Sequence, residues 1–71
     1  AVAAQEAFEV HVAVDSLPDK ERDVIELASY SGLSQTEIAE RLELPLGTVK
    51  TRTRSGLARL SVTLRQRGVT R

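Results

Sequence analysis

Seven residues of this 71-residue chain are equipped to grip an anion or a base edge: Gln35, Thr48, Lys50, Thr51, Arg52, Arg54 and Ser55. Six of them crowd into the eight positions from Thr48 to Ser55. Lysine and arginine offer donors only, and arginine presents them as a planar fork suited to phosphate or to the acceptor edge of guanine; threonine offers a hydroxyl and a methyl for thymine. Lys50, Thr51 and Arg54 are one and four residues apart, so on a helix they project together and would meet base edges. Arg52 points to the side and suits phosphate, as do the Thr48 hydroxyl and the first amides of that helix. Ser34, Gln35 and Thr36, opening the preceding helix, form a second phosphate clamp. Arg59, more than a turn beyond the base readers, suits a backbone contact or a solvated face equally. Cations late in a helix complement its dipole, which accounts for Arg65 and Arg67, but Lys50, Arg52 and Arg54 in the first turns oppose it. Their position calls for an anion from outside.

The elements that position these residues are legible as a helix-turn-helix. Ser34 with Glu37 three residues on is a capping box that starts a short helix over 35–42, with Ile38, Ala39 and Leu42 inward. Small Ala39 lets the next helix cross closely. Leu44-Pro45-Leu46-Gly47 is expected to be the turn, with Pro45 and Gly47 preventing one continuous helix. The last helix is expected over about 47–66, ending at Gly68, with Val49, Leu57, Leu60 and Leu64 inward. Gly56 in its middle costs about 1 kcal/mol relative to alanine and suggests close approach to another element. Upstream, Pro18 and the acids Asp19, Glu21 and Asp23 suit the start of a helix over 19–31, with Val24, Ile25, Leu27 and Ala28 buried and Ser31-Gly32 ending it. A first helix over 3–15 follows from Ala7, Val10, Val14 and Leu17, flanked by Phe8 and Val12. The alternation of Val10, Val12 and Val14 would also suit a strand, but nothing else in the chain could pair with it. The fold class is therefore all-α, a single four-helix domain over residues 1–71.

Formal net charge is zero, with ten acids and ten cations, yet the charges are segregated. Every acid lies before Leu44; after it come Lys50, Arg52, Arg54, Arg59, Arg65, Arg67 and Arg71 and no acid. Such polarity orients a protein on a phosphate backbone. A chain this short buries only about 60% of the surface its unfolded form exposes, so its stability is marginal. The absence of cysteine excludes disulfides and thiolate metal sites. With no apolar run long enough for a bilayer and no cationic leader, the expected setting is soluble and cytoplasmic. The chain starts at Ala1 and lacks methionine, which reads as a fragment of a longer protein.

Catalysis finds little support. His11 is the only histidine and has no nucleophile arrangement around it. Glu37, Glu40 and Glu43 share a spacing of three but read as one cap and two solvated acids. There is no Gly-rich phosphate loop and no metal-ligand cluster, so no cofactor and no metal are expected. Tyr30 reads as a packing residue with its hydroxyl at the surface, since one aromatic does not make a stacking platform.

Several stretches together resemble region 4 of bacterial sigma-70-type sigma factors, most of all the extracytoplasmic-function group. They are Leu17-Pro18 followed by Arg22-Asp23-Val24, then Gly32-Leu33-Ser34, Glu37-Ile38-Ala39-Glu40, and Pro45-Leu46-Gly47-Thr48-Val49-Lys50-Thr51-Arg52. The resemblance covers roughly residues 14–60, and the string from Gly47 to Arg52 is its most specific part. It implies a three-helical, winged-helix-like core with an additional N-terminal helix. It further implies recognition of the promoter −35 element in the major groove, binding to the β-flap of the RNA polymerase core, and capture by an anti-sigma factor. The positions matching base and backbone contacts are Lys50, Thr51, Arg52, Arg54 and Ser55, with Gln35 and Thr48 on phosphate. Such a domain is expected to be monomeric, without region 2, and a weak DNA binder alone. The chain departs from the family at Thr53, usually aliphatic, at Gly56, usually alanine, and at Glu43, where glycine is frequent.

Two rival readings fit the same residues. LuxR-type output domains of response regulators share Glu-Ile-Ala-Glu-Arg-Leu and a Thr-Val-Lys-Thr string, but add a dimerising helix after the reader. The other rival is a pure interaction module, gripped through the apolar surface of Phe8, Val10, Val12 and Val14 on the first helix.

Overall fold

The computed structural model describes residues 4–68, and within them the chain forms four helices: α1 (Ala4–Asp15), α2 (Asp19–Ser29), α3 (Gln35–Leu42) and α4 (Leu46–Gln66). Ala3, the expected start of α1, lies outside the described residues, as does Arg71. The valine-rich segment is helical, because a strand there would have no partner to satisfy its backbone, whereas a helix satisfies its own.

Both α2 and α4 are opened by proline. Pro18 (φ −54°, ψ 147°) and Pro45 (φ −60°, ψ 144°) stand just ahead of the helices in extended geometry, with no side-chain cap. Each proline carbonyl accepts from the first turn: Pro18 O from Glu21 N at 3.0 Å and Arg22 N at 2.8 Å, and Pro45 O from Thr48 N at 3.0 Å and Val49 N at 3.2 Å. The opening of α3 is built differently, by the expected capping box. Ser34 Oγ accepts from Glu37 N at 3.1 Å, and Glu37 Oε1 accepts from Ser34 N at 2.8 Å.

The break between α3 and α4 differs from expectation in where it is made. Gly47 is the second residue of α4, not part of the turn. The turn is made by Glu43, which adopts a left-handed conformation (φ 55°, ψ 48°). It lets Leu44 N reach back to Ala39 O at 2.9 Å while Glu43 N points to Glu40 O at 3.3 Å, the paired bonds of a Schellman ending. Pro45 then blocks continuation. α2 stops at Ser29, two residues short of the expected end, and Gly32 (φ 68°) redirects the chain toward α3.

One core joins the four helices: Val14, Leu17, Val24, Ile25, Ile38 and Val49, with Val10, Leu27, Leu33, Ala39, Leu42, Leu44 and Leu60 packed around it. Ala13 is also fully buried, completing with Val10 and Leu17 the three-and-four spacing of a buried helix side. Three expected core residues face out instead. Ala7 and Ala28 are exposed, each in an end turn of its helix. Leu57 is 52% exposed, because it follows Arg54 by three and Lys50 by seven residues and so shares their side of α4. Phe8, expected only to flank the buried side of α1, is 62% exposed. α4 meets all three other helices, so its outward side has one fixed direction relative to the whole.

Candidate nucleic-acid interface

The proline cap has a consequence for α4. Its first turn contains no acid and receives no side-chain cap bond, so the amides of Leu46 and Gly47, ahead of the first intrahelical bonds, point outward as free donors. α3 offers less to an anion. Ser34 is committed to its capping box and Glu37 brings a carboxylate to the same end. Donation from the Ser34 backbone and side chain holds the Glu37 carboxyl below the ordinary carboxylate range, so that charge persists in mild acid. Of the α3 clamp residues, Gln35 is half-buried and Thr36 exposed.

Lys50, Thr51, Arg54 and Ser55 are exposed on α4, while Thr48 and Arg52 are half-buried at the edges of that face. Val49 and Gly56, fully buried, define the opposite side. The four exposed residues thus form one outward surface, as their spacing requires. Thr51 Oγ1 donates to Gly47 O at 3.0 Å, so its hydroxyl is left to accept from a partner and its methyl to pack on one. Lys50, Arg52 and Arg54 make no ion pair among the described residues.

The later cations of α4 behave otherwise. Arg59 Nε donates to Glu21 Oε1 of α2 at 2.8 Å, an internal tie that is neither of the two uses its spacing allowed. Arg67 Nε donates to Glu9 Oε2 of α1, and Arg65 reaches Ser61 Oγ at 3.5 Å. Folding therefore pairs two of the later cations with acids, while Lys50, Arg52 and Arg54 on the first half of α4 meet no acid among the described residues. Sequence order could not reveal this, since Glu21 and Glu9 lie 38 and 58 residues away from their partners.

A groove of about 400 Å³ runs beside this surface, between the start of α2 and the flank of α4, and Lys20 shares its lining with Arg52. A second, larger groove of about 570 Å³ lies between α2 and α3, lined by acids Asp23 and Glu26 together with Leu27, Tyr30 and Leu42. Tyr30 stacks on His11 with ring centroids 4.9 Å apart, so neither residue is an isolated aromatic or a lone base. Desolvation, then the nearby Asp15 and Glu26 charges, raise the Tyr30 hydroxyl above its ordinary range. Among the described residues no group of acids and histidine could hold a metal ion, and no helix is long and apolar enough to cross a membrane.

Residues 7–60 match the family model described as Sigma-70, region 4. The chain is 42% identical over 57 residues to the ECF RNA polymerase sigma factor SigK of Mycobacterium ulcerans (strain Agy99), which covers 80% of this chain and 30% of that protein. It is 45% identical over 47 residues to the SigK of Mycolicibacterium vanbaalenii, covering 66% of this chain and 24% of that one. With the SigK of Mycobacterium tuberculosis (strain H37Rv) identity is 40% over 60 residues, covering 84% and 32%. The chain thus spans a third or less of the length of these curated relatives.

Proposed function

Because the chain belongs to the sigma-70 region 4 family, we propose that it reads the −35 element of promoters for an extracytoplasmic-function sigma factor, directing RNA polymerase to start transcription. The observation that carries this is the outward face of α4, where Lys50 and Arg54 stand exposed, without an ion pair among the described residues, on a helix whose opening turn holds no acid. In this reading Lys50, Thr51 and Arg54 meet base edges in the major groove, and Arg52, Ser55, Thr48 and Gln35 hold the backbone. The domain binds DNA and performs no catalysis. It acts as a monomer in the cytoplasm, tethered to the polymerase core through the β-flap, with an anti-sigma factor as its antagonist. Its own affinity is modest, and the tether supplies the effective concentration.

Selection of duplexes bound by the chain from a random library tests the reading. A single non-palindromic motif is expected. Enrichment of palindromes would instead indicate a dimeric LuxR-type reader, and no enrichment at low salt would leave a pure interaction module. On the selected duplex, Lys50→Ala and Arg54→Ala should each weaken binding by about 1–3 kcal/mol and relax the preference at one position. Arg52→Ala should weaken all duplexes alike.

A further inference from the structure

Lysine is scarce in this chain: of its ten cations only Lys20 and Lys50 are lysines, and the rest are arginines. The difference is chemical, because a lysine amine can lose its proton and be acylated, whereas a guanidinium holds its proton and is inert to acyl donors. Lys50 carries the one side-chain amine on the outward face of α4.

The surroundings of the two lysines differ. Lys50 is exposed and makes no ion pair among the described residues, and exposed Arg54 follows it by one turn on the same face. Within one turn of Lys50 on either side, residues 46–54 hold no acid. The approach is open as well. Helical side chains lean toward the N-terminus, so the Lys50 amine extends over the turn of Gly47, where an added Cβ would meet nothing within 4 Å. Lys20 is also exposed, but acids and cations alternate around it. Asp19, Glu21 and Asp23 lie within three positions, Asp19 paired with Arg22 and Glu21 with Arg59. An incoming anion meets balanced charge at Lys20 and a second cation at Lys50.

We propose that Lys50 is a modification site, acylated at Nζ by small acyl phosphates, and that acylation lowers the affinity of the domain for DNA. The phosphate of the donor settles on Arg54, which brings its carbonyl carbon to the neighbouring amine. The amine attacks that carbon in its uncharged form. A nitrogen–carbon bond forms, the carbon–oxygen bond to phosphorus breaks, inorganic phosphate leaves with the electron pair, and the nitrogen gives up its proton to water. The product is a neutral amide, so one cation of the reading face is lost. The same acid-free face that suits a phosphate backbone thus suits a phosphate leaving group. The effect on DNA rests on the reading proposed above; the acylation does not.

The test incubates the chain with acetyl phosphate at low salt and follows each lysine by mass spectrometry. Cleavage after glutamate separates them, Lys20 in residues 10–21 and Lys50 in residues 44–71. Lys50 should react about 3- to 10-fold faster, the gain expected when one or two anionic charges lie about 6 Å from a cation in water. Arg54→Gln, with unchanged helical circular dichroism, should remove most of that advantage. An uncharged donor, the N-hydroxysuccinimide ester of acetic acid, should show no such preference. After treatment the chain should bind the selected duplex roughly 5- to 150-fold more weakly, while Lys50→Arg treated in the same way should keep the affinity it had before. Equal rates at the two lysines with acetyl phosphate, or the same preference with the uncharged ester, overturn the acylation site, since accessibility alone would then account for the rates. Acylated Lys50 with unchanged duplex affinity overturns the effect on DNA. A chain that binds no duplex before treatment overturns the DNA reading and with it that effect, while the rates still decide the site.

Discussion

Thr53 shows how a single hydroxyl can be out of place on an otherwise consistent helix. It is half-buried in α4, and its Oγ1 is shielded from solvent without a hydrogen-bond partner. A buried polar atom left unpaired loses its hydration and receives nothing in return. Valine has nearly the same shape and helix propensity, so Thr53→Val should stabilise the chain by about 1 kcal/mol, read as a melting temperature higher by about 4–8 °C. Its DNA affinity should not change, because Thr53 lies off the face of Lys50 and Arg54. The departure from an aliphatic residue was visible in the residue order; whether the hydroxyl found a partner was not. Leu57 makes the complementary point. An apolar residue counted inward on hydropathy turned outward because the helix phase, set by buried Val49 and Gly56, was already decided by its neighbours.

At the scale of elements, the ends of α3 determine where the reading helix begins. Glu43, the residue that follows its last turn, holds φ at 55°, a conformation that costs an L-residue roughly 1–2 kcal/mol. Glycine adopts it freely but loses roughly 0.5–1 kcal/mol more chain entropy on folding. Glu43→Gly should therefore raise stability by about 0.5–1 kcal/mol in urea unfolding, and a loss of stability would mean that the Glu43 side chain contributes a contact of its own. At the other end, Ser34 and Glu37 close on each other, and donation from Ser34 lowers the Glu37 carboxyl from its ordinary 4.5. A folded-state value below the unfolded one means that the unfolded chain binds the proton more readily, so stability rises with pH across that interval. The contribution is complete above about pH 4.5 and fades as pH falls through the depressed value. Glu37→Gln keeps an acceptor for Ser34 N without the charge, and its stability should be flatter than that of the unsubstituted chain over this acid window. Parallel curves would show that the carboxylate is not the titrating group. The cap at Ser34 was legible because a Ser-x-x-Glu pattern acts within one turn. Gly47 belongs to α4 and not to the turn, and residue order could not show this because Pro45 could close α3 or open α4; only backbone geometry shows that it opens α4.

For the whole molecule, the decisive feature is how α4, running through most of a 35 Å body, is set against the other helices. At Gly56 it packs tightly against α2: an added Cβ would lie 3.0 Å from Ile25 Cγ1, 3.3 Å from Ile25 Cδ1 and 3.4 Å from Glu21 Cβ. Gly56→Val should overpack this crossing and cost about 1–3 kcal/mol in thermal unfolding. It should also weaken duplex binding, since tilting α4 redirects the outward face of Lys50 and Arg54; full affinity in a destabilised variant would show that the crossing angle is not part of the interface. The same crossing redistributes charge. Along the chain all the acids precede Leu44 and the cations after it look equivalent, yet in space Glu21 and Glu9 claim Arg59 and Arg67, whereas Lys50, Arg52 and Arg54 pair with no acid among the described residues. Helical periodicity, two prolines and a capping box act over a few residues, so the sequence alone determined four helices, the helix-turn-helix and the string from Thr48 to Ser55. The tertiary structure alone decided that Leu57 faces out, that Arg59 is a tie to α2, and that Lys20 lies in a groove with Arg52. Those outcomes depend on how helices cross, and that angle is set by contacts such as Gly56 on Ile25 between residues 31 positions apart, a separation over which local pattern carries no information.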